Sequence, residues 1–136
     1  MNYLVTLNNY KDDKYYPKVV RAVGEILESS RTVRAVEVFR LVGVLSAENH
    51  KKWQTGQVRY LEQVIECNLS KANRILKILG FHAYDLNMGK SSNFVKYKGK
   101  FLRFTKTGNK KAEELYARQF NIIGKKCLQA ITIKST

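Results

Sequence analysis

Asn68-Leu-Ser-Lys-Ala-Asn-Arg-Ile-Leu-Lys-Ile-Leu-Gly80 is the stretch that decides how this chain is read. Asn and Ser bond their own backbone and favour caps and turns, so Asn68 to Ser70 predicts a short turn. A new helix follows Ser70 and runs to about Leu79, with Gly80 as its stop. At about 100° per residue, Ala72, Ile75, Leu76 and Leu79 share one arc, while Ser70, Asn73, Arg74 and Lys77 fall on the opposite side. The first arc is a core face. The second carries groups that suit base edges and phosphates, although any surface helix of a basic protein has a polar, cationic face. A continuous helix through Asn68 is the competing reading, because Leu61, Ile65, Leu69, Ala72, Leu76 and Leu79 also keep one side.

Charge singles out the same region. The chain has 136 residues with 25 Lys and Arg against 11 Asp and Glu, a net charge of +14. Met1 to Asn68 and Ala112 to Thr136 each carry only +2, whereas Leu69 to Lys111 holds 11 basic residues and one acid, Asp85. Between Lys90 and Lys111 there are eight cations and no acid: Lys90, Lys96, Lys98, Lys100, Arg103, Lys106, Lys110 and Lys111. Edge strands carry lysines to prevent aggregation, which accounts for some of them but not for the absence of every acid. Their mutual repulsion is relieved by a polyanion, which releases its condensed counterions on binding. Function is therefore expected in Leu69 to Lys111.

Outward from this segment, the pattern predicts one α+β domain over residues 1–136, mainly helical. Tyr3 to Leu7 reads as a strand and Pro17 to about Leu27 as a helix carrying Val19, Val20, Val23 and Ile26. Thr32 is the expected cap of a second helix ending at Gly43, and Ser46 the cap of a third that places Trp53 near its end before Gly56. A fourth is expected from Gln57, with Val58, Leu61, Val64 and Ile65 on its apolar face. Beyond Gly80, Phe81 to Asn87 suits either a strand or another helical turn, and Gly89 to Asn93 a loop.

Phe94 to Phe104 predicts two strands joined by a two-residue turn at Lys98-Gly99. Tyr97 then faces Lys100, Val95 faces Leu102, Asn93 faces Phe104, Lys96 faces Phe101 and Phe94 faces Arg103. Asn109 caps a last helix with Ala112, Leu115, Tyr116 and Phe120 on one side, and Cys127 to Ile133 reads as a strand joining the first one in a small sheet.

A helix, a turn, an amphipathic basic helix and a basic hairpin, in that order, resemble the winged helix-turn-helix superfamily. The likeness spans about Val58 to Thr107, with Asn68 to Gly80 similar to a recognition-helix region. It implies that Ser70, Lys71, Asn73, Arg74 and Lys77 contact DNA, and that the hairpin tip, Lys98-Gly99-Lys100, meets phosphate or the minor groove. The connection from Phe81 to Asn93 departs from the pattern by its length. With the charge run, the candidate contacts are these residues and Lys90, Lys96, Arg103 and Lys106. The expected function is non-catalytic binding of double-stranded DNA by a regulator or accessory factor, with a homodimer suited to two half-sites. Three alternatives stand. Phe94, Tyr97 and Phe101 among the cations suit stacking on single strands or RNA. A basic face also suits a protein-interaction module or inhibitor, and a nuclease or toxin assembled from scattered residues is the third.

Other classes find less support. No P-loop, nucleophile elbow or His-Glu-x-x-His motif occurs. Glu62 and Glu66 share a helical face but read as solvated charges, and His50, His82, Cys67 and Cys127 match no compact zinc spacing, so neither metal nor cofactor is expected. Apolar runs fall far short of the roughly 20 residues of a membrane span. Met1 to Tyr10 lacks a secretory pattern, which makes a cytoplasmic protein with reduced cysteines the expectation.

Overall fold

The computed structural model describes residue 6 and residues 8–124. The expected strands at Tyr3–Leu7 and Cys127–Ile133 therefore lie, but for Thr6, outside the described residues. The described chain is α+β: five helices, a three-stranded antiparallel sheet and a separate hairpin.

Helix α1 (Tyr16–Leu27) starts with Pro17 in its first turn and buries Val19, Ala22, Val23 and Ile26. Strand β1 (Thr32–Arg34) and helix α2 (Ala35–Val42) follow. Thr32 does not cap that helix. Its β-branched neighbourhood is drawn into pairing, with Thr32 opposite Asn121 and their side chains bonded at 2.9 Å, so α2 begins at Ala35. Gly43 ends α2 at φ 95°, a left-handed conformation that costs glycine nothing. Helix α3 (Ala47–Gln54) is capped by Ser46, whose Oγ accepts from the Asn49 N–H at 3.1 Å, and it buries Trp53.

The helix expected from Gln57 does not form. Leu61 to Gln63 makes a single 3-10 turn, because the backbone there has tertiary partners: Leu61 and Glu62 N–H donate to the carbonyls of Arg103 and Phe104. Leu61 is still buried. The break at Asn68 is real, since Asn68 Oδ1 accepts from Lys71 N–H at 2.8 Å and caps helix α4 (Leu69–Asp85). Gly80, however, is no stop. The turn beyond it buries His82 and Ala83, which outweighs the roughly 1 kcal/mol a mid-helix glycine costs. The left-handed stop is Asn87 at φ 59°, with Met88 N–H returning to the Ala83 carbonyl and Asn87 N–H to that of Tyr84.

Gly89 to Asn93 is mostly not a loop either. Strand β2 (Gly89–Ser92) pairs with the last strand, and the hairpin strands are β3 (Lys96–Tyr97) and β4 (Lys100–Phe101). The hairpin register is as predicted for its tip, with Lys96 opposite Phe101 and Tyr97 opposite Lys100. Lys98 at φ 52° and Gly99 at φ 81° give the turn its left-handed pair. Helix α5 (Lys110–Ala117), capped by Asn109, leads directly into β5 (Arg118–Asn121), so Phe120 belongs to a strand and not to the last helix. The sheet order is β1-β5-β2, and the hairpin lies in the long excursion between β2 and β5.

That excursion is tied down by rings and carboxylates. Trp53, Phe104, Tyr116 and Phe39 form a chain of ring contacts with centroids 5.0, 6.0 and 5.9 Å apart. Trp53 Nε1 donates to the Arg103 carbonyl at 2.7 Å. Glu113 accepts from the N–H groups of Phe104 and Thr105 and from the Thr105 hydroxyl, while Glu62 accepts from Lys106 N–H at 2.9 Å and the Tyr116 hydroxyl at 3.0 Å. Burial, then the Glu62 carboxylate, pushes the Tyr116 hydroxyl pKa up and keeps it a donor. Hydrogen bonds to a charged acceptor contribute about 1.5 to 3 kcal/mol each. Glu113→Ala is therefore expected to cost at least about 2 kcal/mol, read as a lower urea midpoint with native far-ultraviolet dichroism retained in buffer.

Candidate nucleic-acid interface

Helix α4 is the centre of the basic segment. Ala72, Ile75, Leu76 and Leu79 are buried, as the helical arcs require, together with Ile78, His82 and Ala83. Ser70, Asn73 and Lys77 are exposed in a line down the other side, and Tyr84 continues it with 73% of its surface open.

Arg74 and Lys71 are turned away from that line. Arg74 donates from Nε and Nη2 to Asp13 Oδ2, at 3.1 and 2.8 Å, and the Asp13 side chain is fully buried. Asp13 Oδ1 also accepts from Tyr15 N–H at 2.9 Å. Arg74, expected to read bases, thus has its guanidinium committed to a buried carboxylate, while Asn73 and Ser70 stay exposed. Lys71 Nζ lies 5.4 Å from the centre of the Tyr15 ring.

On its other flank α4 borders a groove of about 900 Å³. Its walls are the outer face of α4, Lys90 of β2, α5 with its cap Asn109, and β5. Lys77, Lys90, Lys111 and Arg118 line it, together with Asn73 and Asn109, and no carboxylate does. Leu76, Phe81, Met88, Leu115 and Phe120 give the lining an apolar part. Lys111 had signalled itself only through the charge run. Arg118 carried no local signal, since it lies beyond the acid-free stretch and reaches the groove through β5.

The hairpin is a second patch. Lys96, Lys98 and Lys100 are exposed, with Lys96 Nζ 4.6 Å from the Phe101 ring centre and Lys98 Nζ 5.4 Å from that of Tyr97. Phe101 is 63% exposed and meets Phe94 edge to face at 6.2 Å. Arg103, also exposed, folds onto its own loop: its Nη2 donates to the carbonyls of Thr105 and Lys106, closing the loop before α5. Lys106 is exposed beside it. Among the described residues, no carboxylate oxygen lies within 4 Å of the ammonium groups of Lys77, Lys90, Lys96, Lys98, Lys100, Lys106, Lys110 or Lys111.

Of the residues weighed for other chemistry, Cys127 lies outside the described residues, and the glutamates and histidines have structural partners. Glu62 holds the loop described above, and Glu66 accepts from Asn49 Nδ2 at 3.3 Å. His82 is buried edge-on to Tyr16, and His50 lies parallel to Trp53, with Arg40 Nη1 3.3 Å from its Nδ1. Cys67 is half-buried, which pushes its thiol pKa up. The described residues hold no group of three or more His, Cys, Asp or Glu placed to bind a metal ion, and no described helix is long and apolar enough to cross a membrane. No family model, curated protein or solved structure matches the chain.

Two expectations follow. Arg74→Ala leaves a buried carboxylate unpaired and should cost about 3 to 5 kcal/mol, whereas Lys77→Ala should stay within about 0.5 kcal/mol of the wild type, both read by urea denaturation. Burial, then Arg40, lowers the His50 pKa below the unfolded value of about 6.5. The native state then binds the proton less well than the unfolded chain, so this contribution is fully present above pH 6.5 and is lost as pH falls through the folded pKa. His50→Gln should flatten the acid side of the stability profile in denaturant titrations between about pH 7.5 and 5.

Proposed function

We propose that this chain binds nucleic acid without catalysis, with double-stranded DNA as the preferred partner, and acts as a regulator or accessory factor. The observation that carries the reading is the carboxylate-free groove with four cations, set beside an exposed polar stripe on a well-anchored helix. A helix that enters the major groove needs those two features: an apolar face that fixes it and a polar face that reaches bases, with cations beside it for the backbone. On this reading Ser70 and Asn73 face the bases. Lys77, Lys90, Lys111 and Arg118 meet phosphates, and Lys96, Lys98, Lys100 and Lys106 form a further phosphate contact at and below the hairpin.

A winged-helix arrangement is supported by the order of elements and by the sheet. Helix, strand and helices precede α4, and the last strand inserts between the first two in the order β1-β5-β2. The wing strands are then β2 and β5, and the Lys98-Gly99 hairpin is an elaboration within the wing. A single-stranded or RNA partner is the second reading, favoured by the exposed rings of Phe101 and Tyr84, which offer stacking surfaces.

Titration of labelled duplex DNA, single-stranded DNA and structured RNA across a salt series distinguishes the two. Duplex DNA is expected to bind most tightly, with affinity falling steeply with salt. Asn73→Ala should flatten differences between duplex sequences, and Lys77→Ala with Lys111→Ala should weaken all duplexes alike. Preference for a single strand or RNA would transfer the function to the second reading. Salt-independent affinity would remove both.

A further inference from the structure

We infer that Lys14, Lys18 and Lys71, gathered around the ring of Tyr15, form a phosphate-binding cage on the flank of α4 opposite the groove. Tyr15 is 6% exposed and sits just before α1. The ammonium groups of Lys14, Lys18 and Lys71 lie 5.4, 5.7 and 5.4 Å from its ring centre, and the Arg74 guanidinium 5.3 Å. Four cationic groups thus converge on one ring.

The carboxylate beside them, Asp13, is fully buried and already bonded by Arg74 and by Tyr15 N–H. Among the described residues no carboxylate oxygen lies within 4 Å of the three lysines. An aromatic face attracts exposed ammonium groups only weakly and leaves their mutual repulsion standing. A phosphate offers several charged oxygens to donors arriving from different directions, and lysines meet it as point charges. A single carboxylate would satisfy fewer of them.

Position on α4 supports the same ligand. In helical projection Ser70 and Lys77 lie between Arg74 and Lys71 on one side and Asn73, Leu76 and Gly80 on the other. The polar stripe is therefore bordered by cations on both flanks, as a helix between two phosphate backbones would be. The source of the phosphate, duplex DNA, rests on the function proposed above. The cage itself does not, because the ring geometry, and the lack of a carboxylate within 4 Å of these lysines among the described residues, are independent of it.

The test compares Lys14→Ala/Lys18→Ala with a charge-matched control, Lys51→Ala/Arg59→Ala; all four residues are exposed. Anisotropy titrations of a labelled duplex over a potassium chloride series should show about a tenfold loss for the cage variant. Its salt slope should fall by about 1.8, for two lost phosphate contacts at about 0.9 each. The control should keep the wild-type slope. Equal losses in the two variants, or an unchanged slope in the cage variant, would overturn the cage while leaving nucleic-acid binding intact. Should the wild type bind no nucleic acid, inorganic tripolyphosphate decides by amide chemical shifts. Shifts around Tyr15 and Lys71 that vanish in the cage variant would support the cage, and their absence in the wild type would sink it.

Discussion

The most basic part of this chain is held in place by two carboxylates that bind its backbone and not its lysines. Glu113 takes the N–H groups of Phe104 and Thr105, and Glu62 takes that of Lys106. Both acids come from outside the stretch they anchor, one from the 3-10 turn before α4 and one from α5. Had they paired with ammonium groups instead, the segment would be anchored and electrically quiet. Bonding the main chain anchors it and leaves the side-chain charge available, which links the fold of this region to its proposed use.

The same division of labour runs through α4. One guanidinium is spent on the buried Asp13, which ties α4 to the segment preceding α1, while the neighbouring Asn73 and Lys77 remain exposed. A buried ion pair is a costly way to join two elements, because both charges lose water, but removing one partner costs more than never having had the pair. The arrangement therefore favours one orientation of the helix over alternatives. That orientation sets the polar stripe between the groove and the ring of Tyr15.

Local signals were legible in the residues wherever the deciding interaction is local. The caps at Ser46, Asn68 and Asn109 and the left-handed turn at Lys98-Gly99 involve groups within a few residues of one another. So does the arc of Ala72, Ile75, Leu76 and Leu79. Where a distant partner intervened, the local pattern misled. Val58 to Ile65 has helical spacing, yet its backbone bonds Arg103 and Phe104. Thr32 has the chemistry of a cap, yet Asn121 draws it into a strand. Gly80 has the chemistry of a stop, yet burial of His82 and Ala83 carries the helix past it.

By itself the sequence determined where the charge lies, because the count of cations and acids along Leu69 to Lys111 needs no coordinates, and which short-range caps and turns form there. Only the tertiary structure decided which cations remain available. Arg74 and Arg103, indistinguishable from their neighbours in composition, differ: Arg74 is paired with the buried Asp13, and Arg103 bonds the carbonyls of its own loop while keeping its charge. Arg118, outside the basic segment, is carried to the groove by β5, and Lys14 and Lys18 to α4 by the packing of α1. The reason is range. A hydrogen-bonding or ionic partner acts over a few ångströms in space, and residues that distance apart here are separated by as many as 89 positions in the chain.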